Sequence, residues 1–175
     1  MNNNIIILRL EGGLGNIMFQ YAVGRHLSLK NNAKLKYDVN SYKTNPLADC
    51  SFWLEGFGIN IKTNLATQKE IRGFKKYEKK PGRKWFFYNQ MIADPSKYVE
   101  EKGFAFDSTV LEARGSFYLH GWWQTEKYFK DIRETLLKEF AVPERPLKKN
   151  KEAAEKIAAT NSIGIHIRRA DYVTN

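Results

Sequence analysis

Residues 4–22 read Asn4-Ile5-Ile6-Ile7-Leu8-Arg9-Leu10-Glu11-Gly12-Gly13-Leu14-Gly15-Asn16-Ile17-Met18-Phe19-Gln20-Tyr21-Ala22, and the architecture follows from them. Asn4 to Leu10 is a short apolar run rich in β-branched residues, the pattern of a strand buried on both faces. Glu11 to Asn16 breaks it with Gly12, Gly13 and Gly15. A helical pattern follows from Ile17 to about Lys30, with Met18, Tyr21, Ala22 and Leu27 able to face a core. Asn16 is placed to cap that helix. Lys34 to Val39 alternates like a second strand. Strand, glycine turn, helix and strand together open a parallel α/β sheet with right-handed crossovers.

Beyond this opening the pattern is less regular. Residues 40–110 hold several aromatics between polar, turn-like segments, among them Phe52, Trp53, Phe57, Trp85, Phe86, Phe87 and Tyr88. Short strands and helices are expected there. Phe117 to His120 reads as a strand, followed by Gly121-Trp122-Trp123-Gln124. Thr125 can cap a helix in which Tyr128, Ile132, Leu136 and Phe140 recur every four residues as one apolar stripe. After Pro143 and Pro146, Lys148 to Thr160 is a polar, alanine-rich helix. Ser162 to Arg169 then reads as a strand with Ile163, Ile165 and Ile167. A parallel strand normally has a helix to cover it. None follows here, so either a separate chain covers it or the 175 residues are the front of something longer.

Composition narrows the class. With 42% hydrophobic, 27% charged and 14% aromatic residues, the 175-residue chain can pack a core. No run approaches the roughly 18 uncharged apolar residues of a membrane span. Met1-Asn2-Asn3-Asn4 lacks the charged start and apolar region of a secretory signal. One cysteine, Cys50, cannot close an internal disulfide, which suits a reducing, cytoplasmic location. Lys and Arg outnumber Asp and Glu 29 to 19, a net charge of +10. That balance favours anionic partners such as nucleic acid, phosphorylated small molecules or acidic membrane surfaces. The basic residues concentrate at 75–84 and at Arg145, Lys148, Lys149 and Lys151, as solvated loops or as a surface that keeps the protein near an anionic one.

Two constellations can carry chemistry. Gly12, Gly13 and Gly15 lie between a buried strand and a helix N-terminus, where backbone can approach a ligand and free N–H groups favour an anion or sugar hydroxyls. The same glycines also suit a purely structural tight turn. They form no Walker loop, and the third glycine of a dinucleotide fingerprint is missing, although Asp38 lies near the spacing of a ribose-binding acid. The second constellation is His166-Ile167-Arg168-Arg169-Ala170-Asp171-Tyr172. Two guanidiniums at the carboxyl end of a strand suit a phosphate or diphosphate, because each planar fork pairs with two oxygens. Asp171 is equally an internal partner for one Arg. His26, His120 and His166 show no metal-ligand spacing with each other or with Cys50, there is no Asp-x-Asp pair, and no Gly-x-Ser-x-Gly elbow is present.

Gly12 to Ala22, with Gly24 and Arg25 after it, resembles the N-terminal signature of the α-1,2-fucosyltransferases, glycosyltransferase family 11. His166 to Val173 resembles that family's nucleotide-sugar motif, and Gly121 to Phe129 is similar to its aromatic Gln-Ser-Glu-Lys-Tyr-Phe segment. The resemblance implies transfer of L-fucose from GDP-β-L-fucose to the 2-hydroxyl of a galactose, with inversion, on a GT-B scaffold. It implies a Rossmann-like, acceptor-side domain over 1–147, then a linking helix and the first strand of a donor-nucleotide domain over 148–175. Arg168 and Arg169 would stabilise the departing GDP, with His166 and Asp171 shaping the site. Gly13, Gly15 and Asn16 would line the cleft from the first domain. No metal is expected, since fixed positive side chains can do a cation's electrostatic work.

Two positions depart from the family pattern: Ile17 stands where Gln is usual, and Ala170 where Gly is usual. The family's later motifs are absent, so the 175 residues alone are expected not to turn over GDP-fucose. The family also suggests surface-polysaccharide synthesis in the cytoplasm, with peripheral contact to inner-membrane lipid. Two rival classes remain at this level, a non-catalytic carbohydrate- or anion-binding module and a nucleic-acid binder. The second is disfavoured because the aromatics follow apolar periodicity and do not interleave with base-contacting cations.

Overall fold

The computed structural model describes residues 4–42, 54–74, 97–142, 148–165 and 167. The basic run 75–84, Cys50, Phe52, Trp53, Trp85 to Tyr88, and the motif residues His166, Arg168, Arg169 and Asp171 lie outside them. The chain divides into two compact units, Met1–Val142 and Pro143–Asn175.

In the first unit, β1 (Ile5–Arg9), β2 (Lys34–Asp38), β3 (Tyr98–Glu100) and β4 (Phe117–His120) form one sheet in the order β2-β1-β4-β3. Every pairing is parallel, with Leu8 opposite both Tyr37 and Leu119, and Val99 opposite Leu119. All four carboxyl ends therefore lie along one edge. Ile6, Ile7 and Leu8 are fully buried, as expected of a central strand covered on both faces. Burying each such side chain contributes about 1.5–3 kcal/mol.

Alternation along the strands sorts the core into two layers. Ile6, Leu8, Phe117 and Leu119 face α1 (Leu14–Lys30), while Ile7 and Tyr118 pack on the other side with Ile71 of α2 (Gln68–Phe74). The close approach of α1 to the sheet rests on Gly24. A Cβ there would lie 2.8 Å from Leu8 Cδ2 and 3.2 Å from Leu35 Cδ1. The helix α2 starts on a reciprocal pair, in which the Thr67 N–H donates to Glu70 Oε2 at 2.8 Å and the Glu70 N–H donates to Thr67 Oγ1 at 3.2 Å. That is the capping box readable in Thr67-Gln68-Lys69-Glu70. Glu70 also pairs with Lys36 of β2, and Ala66 N–H donates to Tyr37 O at 2.9 Å, so the outer edge of β2 is covered.

Several expectations need correction. The helix α1 begins at Leu14, ahead of the predicted Ile17, and its N-cap is Gly13 with no side-chain cap. Asn16 is not the cap because it already lies within the first turn, and its Oδ1 accepts from Gln124 Nε2 at 2.8 Å. The segment after Thr125 is not one helix. It forms 3-10 turns at Glu126–Tyr128 and Lys130–Ile132, broken by Phe129 at φ −146°, before α3 (Arg133–Glu139). The predicted stripe survives, since Tyr128 and Leu136 are buried and Ile132 and Phe140 pack against them.

In the second unit, α4 (Lys148–Ala158) matches the predicted helix. Residues 162–165 and 167 are irregular where a strand was expected, with Ile163, Ile165 and Ile167 at 88%, 82% and 75% exposure. A strand needs a hydrogen-bonded neighbour. Among the described residues, no strand pairs with this segment.

Candidate functional site

The carboxyl edge of the sheet is where open α/β proteins bind ligands. Here β1 runs into Glu11 and the glycine turn, and β4 runs into Gly121 to Gln124. A buried amide joins turn to helix: Gln20, fully buried, donates from Nε2 to Glu11 O at 3.2 Å and accepts the Glu11 N–H at 3.0 Å. Gly12 has φ +83°, a conformation that L side chains rarely adopt. A Cβ at Gly12 would lie 2.5 Å from Asn16 Nδ2 and 2.9 Å from the Trp122 ring, so glycine is required twice over.

Gly13 and Gly15 differ from Gly12. Among the described residues a Cβ on either would meet nothing within 4 Å, so the first turn of α1 is open on that side. Among the described residues no side chain caps that N-terminus. Unpaired N–H groups and the positive end of the helix dipole are therefore presented there. Asn16 stands at the same place, tied to Gln124 of the facing loop. Gly13, Gly15 and Asn16 are thus gathered at one opening. His166, Arg168, Arg169 and Asp171, the other predicted site residues, lie outside the described residues.

Asp38 is not available as a ribose acid. It is 2% exposed, with Oδ2 accepting from the Tyr118 hydroxyl at 2.6 Å and Oδ1 accepting the Asn40 N–H at 2.9 Å. Burial and the neighbouring carboxylate push the Tyr118 hydroxyl well above its ordinary titration range. His26 is likewise structural, its Nδ1 donating to the Tyr128 carbonyl at 2.6 Å.

Sequence reasoning missed a charged cluster beside the glycine turn. Glu11 lies 2.9 Å from Arg9 Nε and 3.3 Å from His120 Nε2. On its other side, His120 Nδ1 is 2.8 Å from the Tyr98 hydroxyl and 3.4 Å from Glu100. The hydrogen bond to His120, then the charge of Arg9, hold the Glu11 carboxyl below its usual range despite partial burial. The cluster joins the ends of β1, β3 and β4. Its readable signal was position: Glu11 and His120 both stand at the carboxyl ends of predicted strands.

A second missed feature is Glu101. Its carboxylate accepts the N–H groups of Trp122 at 2.6 Å and Trp123 at 3.1 Å. Trp123 is fully buried at φ +57°, and its indole N–H has no partner among the described residues.

A covered parallel sheet whose first strand turns on glycines into an open helix N-terminus defines a Rossmann-like α/β domain. The chain belongs to glycosyl transferase family 11, whose profile matches residues 5–175. It is 34% identical to an alpha-1,2-colitosyltransferase of Escherichia coli, over 98% of this chain and 57% of that protein. The chain thus spans little more than half the length of that relative. No solved structure gives a significant match.

Proposed function

We propose that this chain is the acceptor-side part of a glycosyltransferase that moves L-fucose from GDP-β-L-fucose to the 2-hydroxyl of a terminal galactose, with inversion and without a metal. In this reading residues 1–147 form the first domain of a GT-B pair and 148–175 begin the donor-nucleotide domain. The carrying observation is the family match, which runs from β1 through residue 175 and so spans all three motifs. The open glycine face at the carboxyl edge of the sheet supports it.

The chemistry is a displacement at the anomeric carbon. The galactose oxygen bonds to that carbon as the bond to the β-phosphate oxygen breaks, and the hydroxyl proton leaves to a base. Charge accumulates on the departing diphosphate. Arg168 and Arg169 would hold it, and His166 and Asp171 would shape their surroundings. One such interaction is worth on the order of 10²–10³ in rate. Gly13, Gly15 and Asn16 of the first unit would also bind substrate. The enzyme would work in the cytoplasm, its basic stretches in peripheral contact with inner-membrane lipid, building surface glycan.

The similarity to a colitosyltransferase favours a second donor. Colitose is L-fucose without its 3-hydroxyl. A site that hydrogen-bonds this group rejects the deoxy sugar strongly, whereas an apolar site does not.

GDP titration with EDTA present tests the reading. Saturable binding that Arg168→Ala abolishes is expected. No binding, or binding unchanged by Arg168→Ala, would sink it. Competition with GDP-fucose and GDP-colitose then identifies the donor.

A further inference from the structure

Gln124 and Asn16 lie 108 residues apart in sequence and meet side chain to side chain, with Gln124 Nε2 donating to Asn16 Oδ1 at 2.8 Å. Asn16 is the third residue of α1, inside the turn whose N–H groups have no intrahelical acceptor. The oxygen of an asparagine in such a place can fold back onto a nearby backbone N–H. Gln124 takes that oxygen instead. Asn16 Nδ2, the remaining donor of the side chain, has no acceptor among the described residues.

The bond also decides which way round the amide stands, because an amide donates at one end and accepts at the other. With Oδ1 held by Gln124, Nδ2 is turned to the glycine turn, where a Cβ on Gly12 would lie 2.5 Å from it. Gly12 keeps that space clear, and the Trp122 ring bounds it, 2.9 Å from the same point. Nor is the donor sealed off. Among the described residues the buried side-chain N or O atom that lacks a partner is the indole nitrogen of Trp123, not Asn16 Nδ2.

Gln124 can orient a partner because the loop that carries it is fixed on either side. Before it, Glu101 accepts the Trp122 and Trp123 N–H groups, and the Trp123 side chain is fully buried. After it, the Thr125 N–H donates to Trp123 O at 2.7 Å, and the Thr125 hydroxyl accepts the Lys127 N–H at 3.4 Å. Gln124 itself is exposed and Asn16 half-buried, so water can replace either partner and the bond adds little to stability. What it supplies is direction.

We propose that Gln124 is a positioning residue, which holds the Asn16 amide so that Nδ2, and not Oδ1, meets an acceptor oxygen of the sugar nucleotide. This rests on the transferase reading, in which Asn16 binds substrate, and adds the residue that sets its polarity.

The test is NMR on the ¹⁵N,¹³C-labelled chain with GDP-β-L-fucose as the probe. In the free chain a long-range HNCO spectrum should join Gln124 Nε2 to Asn16 Cγ across the hydrogen bond. The reverse connection, from Asn16 Nδ2 to Gln124 Cδ, would overturn the proposal. On saturation the Asn16 side-chain NH₂ signals should shift and exchange more slowly with water, and signals that do not respond count against it. Gln124→Leu should melt close to the parent and bind GDP-fucose about fivefold or more weakly.

Gln124→Glu separates orientation from a simple tie. A carboxylate accepts but cannot donate, so it keeps a bond to Asn16 only by turning the amide over and leaving Oδ1 outward. This variant should melt near the parent, yet bind at least as weakly as Gln124→Leu when both are titrated in about 0.5 M NaCl to screen the added charge. Parent-like binding by either variant removes the positioning role. If the parent itself does not bind GDP-fucose, the transferase reading fails and takes this role with it. Binding that Arg168→Ala abolishes and Gln124→Leu leaves intact spares that reading and removes this role alone.

Discussion

Glu101, just past the end of β3, holds Trp123 in a left-handed backbone conformation by accepting its N–H at 3.1 Å and that of Trp122 at 2.6 Å. A left-handed conformation at a residue other than glycine costs about 1–2 kcal/mol. Two charge-assisted hydrogen bonds from one carboxylate offset it. Glu101→Ala should therefore destabilise the fold by about 2–4 kcal/mol, as it leaves two backbone donors unpaired. Urea unfolding would show this. A loss below the error of the measurement would mean that the loop is held by other contacts.

Gln20 is the buried amide that ties Glu11 to α1. Gln20→Leu preserves size and burial but strands one backbone N–H and one carbonyl. The expected cost is about 1–3 kcal/mol for each group left unsatisfied. Gln20→Glu should also destabilise, because a buried carboxylate can accept the Glu11 N–H but cannot donate to its carbonyl. Thermal melts of both variants check this.

The three glycines of the turn should separate by what a methyl group meets. Gly12→Ala should cost about 1–2 kcal/mol from its φ of +83° alone. Contact with Asn16 and Trp122 adds to that. Gly13→Ala and Gly15→Ala meet open space, so they should leave stability unchanged or slightly raised. If the open helix end receives substrate, both should nevertheless weaken binding, since each methyl intrudes on the approach to the N–H groups. Melting temperature and ligand titration on the same samples distinguish the two effects.

Acid should unfold the chain partly through Glu70 and Glu11. Lys36, then the Thr67 N–H, bring the Glu70 carboxyl down to about 2 from an ordinary 4.5. Glu11 is lowered too, chiefly by His120. A group whose folded value is depressed binds fewer protons when folded, so its stabilisation is whole above its ordinary value. For Glu70 it fades as pH falls from about 4.5 through 2. Glu70→Gln should thus be less stable than the parent at pH 7, and the gap should narrow steadily below about pH 4.5 and close only below about 2. Denaturant midpoints at pH 7, 4 and 2.5 would reveal a constant gap if the pairing contributes nothing.

Local pattern was enough for β1, α1, β2 and β4, because each has its own period or run and the glycines mark the turn between them. The strand Phe117–His120 was readable to the residue, and so was the partition of Tyr128, Ile132, Leu136 and Phe140 to one side. Periodicity could not distinguish 3-10 turns from α-helix over 126–132, since an apolar stripe every three or four residues fits both. Nor could it locate the cap of α1. Asn16 has a capping side chain, but its partner, Gln124, is distant in sequence and near in space.

The site divides along the same line. Glycine, asparagine and arginine motifs carry their chemistry in the residue type and short spacing, so the family was legible from the chain. Glu11, His120 and Glu101 were not, because their roles arise only when strands far apart in sequence end side by side. Asp38 had the spacing of a ribose ligand, and a partner 80 residues away took both the carboxylate and its access to solvent. Short-range order is written in the backbone preferences of neighbouring residues. Which polar groups stay free to act depends on long-range packing, and no local window contains it.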